Sequence, residues 1–145
     1  MFKIRYVLAD DKIFWFKFDT LLSGREFELK IRDKRGYIIT YADEFIGIMR
    51  YNLLWDQIPF LTLIYLDESK RRKGFGRQAM QYWENEMREF GYDVVMTSTR
   101  IDEDAQHFYR KLGYKENGGI LFDNMPFEQP QEIFMFKVIN IFWHT

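Results

Sequence analysis

The spacing of apolar residues along the chain predicts alternating strands and helices. Short runs rich in β-branched and aromatic residues predict strands, and apolar residues three or four positions apart predict helices. The predicted strands cover 3–8, 37–41, 45–51, 60–66, 93–99, 120–122 and 133–139. Predicted helices follow Asp10 or Asp11, Ser23, Gly74, and Asp102 or Asp104. This order predicts one mixed α/β domain over residues 1–145.

Local signals define several of these elements more closely. Ser23 and Glu26 form a capping-box pattern at the start of the second helix. The link 42–44 predicts a hairpin, and 55–59 predicts a loop. The nearly continuous apolar run 60–66 predicts a strand buried on both faces. The third predicted helix ends at Gly91. Its apolar face is predicted to carry Phe75, Ala79, Met80, Trp83, Met87 and Phe90.

Composition and charge narrow the classes of function. The net charge is −1, which disfavours a nucleic-acid or anionic-membrane partner. The 145 residues contain no cysteine, which excludes a disulfide framework, a thiolate metal site and a cysteine nucleophile. We expect no bound metal. The first residues lack the long apolar run of a secretory leader, and no apolar run approaches the length of a membrane span. We therefore expect a cytoplasmic protein.

The segment 66–77 has the strongest functional signal. A buried strand leads into a polar, basic loop, then into Gly74 and Gly76 and an amphipathic helix. Glycine allows tight turns and close approach of a ligand. The first turn of a helix has free N–H groups and a positive dipole end. Five cationic side chains surround these donors, namely Lys70, Arg71, Arg72, Lys73 and Arg77. The pattern indicates a site for a phosphate-bearing ligand.

Three specific interpretations of this segment compete. A P-loop requires lysine and then serine or threonine after its last glycine, but Arg77 and Gln78 follow Gly76. Residues 74–79 fit the dinucleotide pattern G-x-G-x-x-A, yet seven polar residues separate the strand from the glycines, and 97–100 lacks the expected acid. The third interpretation is a solvated charged loop with a glycine-rich turn.

Two motifs together resemble the GNAT acetyltransferase superfamily. Residues 71–76, RRKGFG, resemble its R-x-x-G-x-G signature between the fourth strand and the third helix. Residues 105–114, AQHFYRKLGY, resemble its second hallmark, an alanine, an aromatic–tyrosine pair and a leucine–glycine–aromatic end. The resemblance implies a mostly antiparallel central sheet of about seven strands flanked by about four helices.

The resemblance also implies a cofactor and site residues. The co-substrate would be acetyl-coenzyme A, with its pyrophosphate on the backbone N–H groups of 72–77. The fourth-strand edge at Ile64 and Leu66 would pair with the pantetheine amides. Tyr109 would protonate the departing thiolate. Asp102 stands where many members have asparagine. The implied cofactor-binding residues are Ile64, Leu66, Arg71, Arg72, Lys73, Gly74, Phe75, Gly76, Arg77 and Asp102.

The expected reaction is acetylation of a primary amine by direct attack, with a small molecule favoured over a protein. The resemblance places the acceptor pocket near the first two helices, the third-to-fourth strand loop and the last strands. Trp15, Tyr51, Trp55 and Asp56 are its candidate residues, and an aromatic ring beside a carboxylate suits a cationic amine. No general base is identified, and Glu44, Asp56 and Asp67 are alternatives to water-mediated deprotonation. His107 is interpreted as a surface residue.

Two further functions remain open at this stage. The first is a non-catalytic coenzyme A-binding sensor or scaffold, and the second is an unrelated nucleotide-binding module. A homodimer through the last strands is compatible with the sequence. The tail 140–145, with Phe142 and Trp143, is predicted to cover the core or contact a partner.

Overall fold

Strands and helices follow one another in the order that the sequence predicts. A computed structural model describes residues 1–140. The strands are β1 Phe2–Tyr6, β2 Gly36–Tyr41, β3 Glu44–Leu54, β4 Ile58–Leu66, β5 Val94–Arg100, β6 Lys115–Ile120 and β7 Glu132–Val138. The α-helices are α1 Lys12–Phe18, α2 Gly24–Asp33, α3 Phe75–Glu89 and α4 Ala105–Lys111. Short 3-10 turns cover Ala9–Asp11 and Glu68–Lys70.

The strands form a sheet in the order β1-β2-β3-β4-β5-β7-β6. Antiparallel registers join β1 to β2, β2 to β3, β5 to β7 and β6 to β7. β4 and β5 are parallel, in a register of two residue pairs, Phe60↔Met96 and Leu61↔Thr97. This mostly antiparallel sheet confirms the predicted fold class. It also shows that the dinucleotide interpretation is wrong, because that fold is built on a mostly parallel sheet.

The chain divides into two compact units. The first contains Met1–Asn52 and Thr62–Trp83. Its core packs α1 and α2 on the sheet through Val7, Trp15, Phe27, Ile38 and Ile48. The Ser23 hydroxyl accepts the N–H of Glu26 at 3.1 Å, so the predicted cap of α2 is present. The second unit contains Leu53–Leu61 and the described residues from 84 on. Its core includes Met87, Val95, Met96, Ile133 and Met135.

Several boundary predictions are wrong. The strand predicted at 120–122 lies instead at Lys115–Ile120, and the loop predicted at 55–59 is a tight turn at Trp55 and Asp56. Phe90 is 56% exposed, because α3 ends one residue earlier. β4 is only partly buried at most positions.

The predicted aspartate caps of α1 and α4 are also absent. Asp11 and Asp104 stand at the cap positions, but neither side chain accepts a cap hydrogen bond from its α-helix. The carboxylate of Asp11 instead accepts the Leu8 N–H at 2.8 Å and two hydrogen bonds from Arg5. The prediction for the tail 140–145 cannot be compared with the structure from residue 141 on, because residues 141–145 lie outside the described part of the chain. Within residues 1–140, no helix combines the length and the apolarity needed to cross a membrane.

Candidate functional site

The loop between β4 and α3 has the backbone conformations of a turn that presents N–H groups. Arg72 has φ 62° and Gly74 has φ 84°, both in the left-handed region. A Cβ added at Gly74 would meet no atom within 4 Å, so the φ angle, and not crowding, favours glycine there. The first bond of the helical ladder runs from the N–H of Gln78 to the carbonyl of Gly74 at 3.1 Å. The N–H groups of 75–77 therefore precede that ladder and have no helical acceptor.

The side chains of this loop make it a cationic surface. Arg71, Arg72, Lys73 and Arg77 are exposed, and they surround the positive end of a helix of 15 residues. The arrangement combines N–H groups without a helical acceptor, a helix dipole and exposed cationic side chains. Phosphate groups bind at such helix starts.

Arg71 is fixed against β4 and does not extend freely from the loop. Its Nε donates to the carbonyl oxygen of Leu66 at 3.0 Å. Its guanidinium carbon lies 5.0 Å from the centroid of the Tyr65 ring, which stacks on Phe18. The cation–π contact and the hydrogen bond together hold the guanidinium at the end of β4.

Phe75 anchors the start of α3. It is 8% exposed, and its ring stacks on Phe2 at 5.8 Å and lies 4.8 Å from the ring of Tyr41. Because the side chain of Phe75 is buried, the part of this predicted cofactor-binding residue that is available to a ligand is its backbone N–H. Buried aromatic contacts of this kind fix the helix start on which the loop geometry depends.

The predicted strand residues Ile64 and Leu66 lie in the second half of β4. Both are only partly buried, as are their neighbours from Thr62 on. The register with β5 involves the first half of β4, at Phe60 and Leu61. A strand with partly exposed apolar side chains can offer both backbone groups and apolar surface to an extended ligand.

Tyr109 is a buried tyrosine on α4. It is 6% exposed, and its ring lies 5.3 Å from that of Phe108 and 5.8 Å from that of Tyr114. Burial raises the pKa of Tyr109 above its ordinary value, a hydrogen bond with the Thr97 side chain opposes the rise, and the charge of Glu103 adds to it. The phenol is therefore held in its protonated form at neutral pH, as a proton donor must be.

A buried polar cluster beside Tyr109 was missed at the sequence level. The hydroxyl of Tyr114 donates to Glu84 Oε2 at 2.8 Å, and Lys137 Nζ donates to Glu84 Oε1 at 2.8 Å. Glu84 is 3% exposed, although it is not among the residues predicted for the apolar face of α3. Burial and the neighbouring Glu84 carboxylate raise the pKa of Tyr114 well above its ordinary value. No signal in a single sequence connects these three residues.

Asp102 forms an ion pair with Arg100. Its carboxylate accepts hydrogen bonds from Arg100 at 2.9 and 3.1 Å, and this partner lowers the pKa of Asp102. Both side chains are exposed, so the pair is of the weakly stabilising kind. A cofactor-side role for Asp102 remains a prediction.

The four acceptor-pocket candidates lie in different surroundings. Trp15 is fully buried and its Nε1 donates to Asp19 at 3.0 Å, while Tyr51 is 4% exposed and packs on Tyr37 and Trp83. These two positions are core positions, which does not support a pocket-lining role. Trp55 is 78% exposed and Asp56 is also exposed, with φ 52° and 59° in the β3–β4 turn. They remain available to a ligand.

A buried ion pair organises the turn between α1 and α2. Asp19 is 2% exposed and accepts from Arg50 Nε at 2.8 Å and from the N–H groups of Leu21 and Leu22 at 3.2 Å. Burial alone would raise the pKa of Asp19, but the hydrogen bond and charge of Arg50 together with the two backbone N–H groups outweigh it, and the pKa is lowered. Arg50 in turn donates to Thr62 at 2.9 Å. The pair fixes a turn at which Leu21 is 85% exposed.

The candidate bases and His107 are surface groups or turn residues. Glu44 opens β3, and the Asp67 carboxylate accepts the Ser69 hydroxyl at 2.7 Å. His107 is exposed on α4. The described residues give none of them a buried, base-like environment, so water-mediated deprotonation stays our prediction.

Comparisons with known proteins show the family to which this chain belongs. The model of the acetyltransferase (GNAT) family matches residues 4–114. A search of curated proteins found no match.

Several acetyltransferases of known structure have this fold. The ribosomal-protein-S18-alanine N-acetyltransferase from Escherichia coli aligns with a TM-score of 0.79 at 17% identity, over 96% of this chain and 94% of that one. The spermidine/spermine N-acetyltransferase SpeG from Vibrio cholerae gives 0.80 at 13% identity, over 99% and 96%. A GNAT family acetyltransferase from Elizabethkingia anophelis with acetyl-CoA bound gives 0.75 at 19% identity, over 94% and 97%.

The family match thus defines an α/β transferase domain. The family model covers most of the chain, and the protein belongs to the GNAT family of acetyltransferases.

Proposed function

We propose that the protein transfers an acetyl group from acetyl-coenzyme A to a primary amine. The observation that carries the proposal is the backbone of 72–77, where two residues with positive φ lead into the N–H groups of α3. Family membership and a structural neighbour with acetyl-CoA bound support the choice of donor.

Acetyl-coenzyme A would be held through its charged pyrophosphate and its extended pantetheine arm. The pyrophosphate would accept hydrogen bonds from the N–H groups of 72–77, with Arg72, Lys73 and Arg77 supplying charge. The pantetheine amides would pair with the backbone of β4 at Ile64 and Leu66. Arg71, held on the carbonyl of Leu66, and Asp102 are proposed as further cofactor-side groups.

The transfer would proceed without a covalent enzyme intermediate. Water takes one proton from the ammonium group of the acceptor, and the neutral nitrogen then attacks the thioester carbonyl. The nitrogen loses a second proton to water, and the C–S bond breaks. Tyr109 gives its phenolic proton to the departing sulfur, and the phenolate is later reprotonated from solvent. The enzyme contributes mainly orientation and this proton transfer.

The proposed acceptor is a cationic amine, with a small molecule favoured over a protein. Residues 116–136 contain Glu116, Asp123, Glu128 and Glu132 and no lysine, arginine or histidine. The exposed Trp55 and Asp56 add an aromatic face and a carboxylate, which suit an ammonium group. One structural neighbour is a spermidine/spermine acetyltransferase and another acts on a ribosomal protein, so both acceptor types belong in the test.

A thermal-shift experiment tests the donor site. Acetyl-coenzyme A and coenzyme A at about 100 times Kd should raise Tm by about 5–10 °C, and NAD should not. Gly76→Glu places a carboxylate in the first turn of α3 and should abolish the shift. Gly24→Glu adds the same charge at the first turn of α2, where the added Cβ has open space, and should keep the shift. A response to NAD alone would refute the proposal.

Turnover tests the transfer itself. Release of free coenzyme A is followed with spermidine and with a short peptide that begins with alanine, and the product is identified by mass. Tyr109→Phe should lower kcat by about 100-fold with little change in KM for acetyl-coenzyme A. Binding of coenzyme A without turnover of either acceptor would favour the non-catalytic sensor or scaffold.

A further inference from the structure

Arg71 differs from other cationic residues of the β4–α3 loop, because its side chain is in contact with β4. Its Nε donates to the carbonyl oxygen of Leu66 at 3.0 Å, and its guanidinium carbon lies 5.0 Å from the centroid of the Tyr65 ring. Three other exposed side chains of the loop make no hydrogen bond or ring contact within residues 1–140, namely Arg72, Lys73 and Arg77. Arg71 therefore contributes to the end of β4 as well as to the charge of the loop.

The surface under the Arg71 guanidinium is itself held in place. The ring of Tyr65 stacks on that of Phe18 of α1, with centroids 5.0 Å apart. On the β3 side, the N–H of Asp67 donates to the carbonyl oxygen of Ile46 at 2.7 Å. Contacts from α1 and β3 thus hold the residues on both sides of Leu66. A guanidinium that lies on such a support has a defined position.

The hydrogen bond from Arg71 serves a part of β4 that is not in register with β5. That register consists of Phe60 and Leu61 on β4, whereas Leu66 is the last residue of the strand. A strand end that lacks one of its neighbours opens more easily. Nε of Arg71 supplies a donor to this end and closes the segment 66–71 into a short loop.

We propose that Arg71 is a positioning residue for the pantetheine arm of the acetyl donor. This inference rests on the proposed function, in which β4 at Ile64 and Leu66 binds that arm. Arg71 fixes the strand end in the conformation that the arm requires, so less ordering is needed when the donor binds. The phosphates of the donor receive their charge from other cations of the loop, such as Arg77. Loss of Arg71 therefore weakens binding even of a ligand that has no phosphate.

Two ligands, one with and one without phosphate, test the proposal. Coenzyme A contains the phosphates and the pantetheine arm, whereas pantetheine contains the arm alone, and the Kd of each is obtained from the dependence of Tm on ligand concentration. Arg71→Leu should raise Kd by about 10-fold for both ligands. Arg77→Leu is the matched control in the first turn of α3. It should raise Kd by about 3–10-fold for coenzyme A and by less than about 2-fold for pantetheine.

Conservative variants separate the position of the guanidinium from its charge. Arg71→Lys keeps the charge but lacks the planar guanidinium, so it should recover no more than about 2-fold of the lost affinity. Tyr65→Leu removes the supporting ring and should weaken binding of both ligands, whereas Tyr65→Phe keeps the ring and should bind as the wild type does. Without ligand, the Tm values of Arg71→Leu and Arg71→Lys should agree within about 2 °C, which excludes a general folding defect as the cause.

The outcomes separate this inference from the proposed function. No Tm response of the wild type to coenzyme A would overturn both. If the wild type responds to coenzyme A but not to pantetheine, or if Arg71→Leu leaves the Kd for pantetheine unchanged, the role of Arg71 alone is overturned. Full binding of both ligands by Arg71→Lys would also overturn it, because charge alone would then be sufficient.

Discussion

At the scale of single residues, two buried tryptophans differ in one hydrogen bond. Trp15 and Trp83 are both fully buried. The indole N–H of Trp15 donates to Asp19 at 3.0 Å, whereas the indole N–H of Trp83 has no hydrogen-bond partner in the described structure. A buried donor without a partner costs about 1–3 kcal/mol relative to a paired one.

Phenylalanine substitutions should therefore affect the two sites unequally. Trp83→Phe removes an unpaired donor, which offsets the loss of apolar area, and should change the free energy of unfolding by less than about 1 kcal/mol. Trp15→Phe removes a satisfied bond to a buried carboxylate and should cost about 2–4 kcal/mol. Urea denaturation measures both. Equal losses would show that the indole of Trp83 finds a partner in solution.

The sequence separation between contacting residues limited what could be predicted of the site. Residues 71–77 are contiguous, so a local sequence pattern was enough to propose them as a phosphate-binding loop. Glu84 reads as a solvent-facing residue of α3, because its partners Tyr114 and Lys137 lie 30 and 53 positions away. Asp19 and Arg50 are 31 positions apart, and only the folded chain brings them together.

At the scale of elements, β3 lies very close to the end of β4 at Gly47. A Cβ added there would lie 2.5 Å from the carbonyl oxygen of Tyr65 and 2.7 Å from Leu66 Cδ2. A backbone oxygen cannot move aside as a flexible side chain can. Glycine at this position therefore sets the spacing of the β4 end that precedes the proposed cofactor-binding loop.

Gly47→Ala should displace that end of β4. We expect a loss of about 1–3 kcal/mol in the free energy of unfolding, together with a smaller thermal shift by acetyl-coenzyme A. Gly24→Ala, which meets no atom within 4 Å, is the matched control and should keep both properties. Differential scanning calorimetry with and without donor checks this. An unchanged donor shift in Gly47→Ala would contradict the role of this spacing in binding.

The success of element prediction depended on how each element is stabilised. α3 was predicted well because its buried positions recur at helical spacing. β6 was misplaced because residues 115–120 are all exposed and include Gly118 and Gly119. β6 is stabilised as a strand by its pairing with β7. This pairing is a long-range contact, and a local sequence pattern does not contain it.

At the scale of the whole molecule, buried phenols connect stability to alkaline pH. Tyr109 and Tyr114 have pKa values above the ordinary 10.0, both mainly through burial. A raised pKa means that the folded chain retains a proton that the unfolded chain loses. The associated stability is fully present below about pH 10 and is lost as pH rises toward the folded pKa.

Tyr114→Phe isolates this linkage. At neutral pH the variant should be less stable by about 1–3 kcal/mol, because Glu84 loses a hydrogen bond while keeping Lys137. The difference from wild type should shrink as pH rises from about 9 to about 11, since only the wild type carries the phenol at this position. Lysine titration is common to both chains and cancels. Parallel stability curves over this range would contradict the raised pKa of Tyr114, whereas converging curves would show that the buried Tyr114–Glu84–Lys137 cluster stabilises the fold through a retained proton.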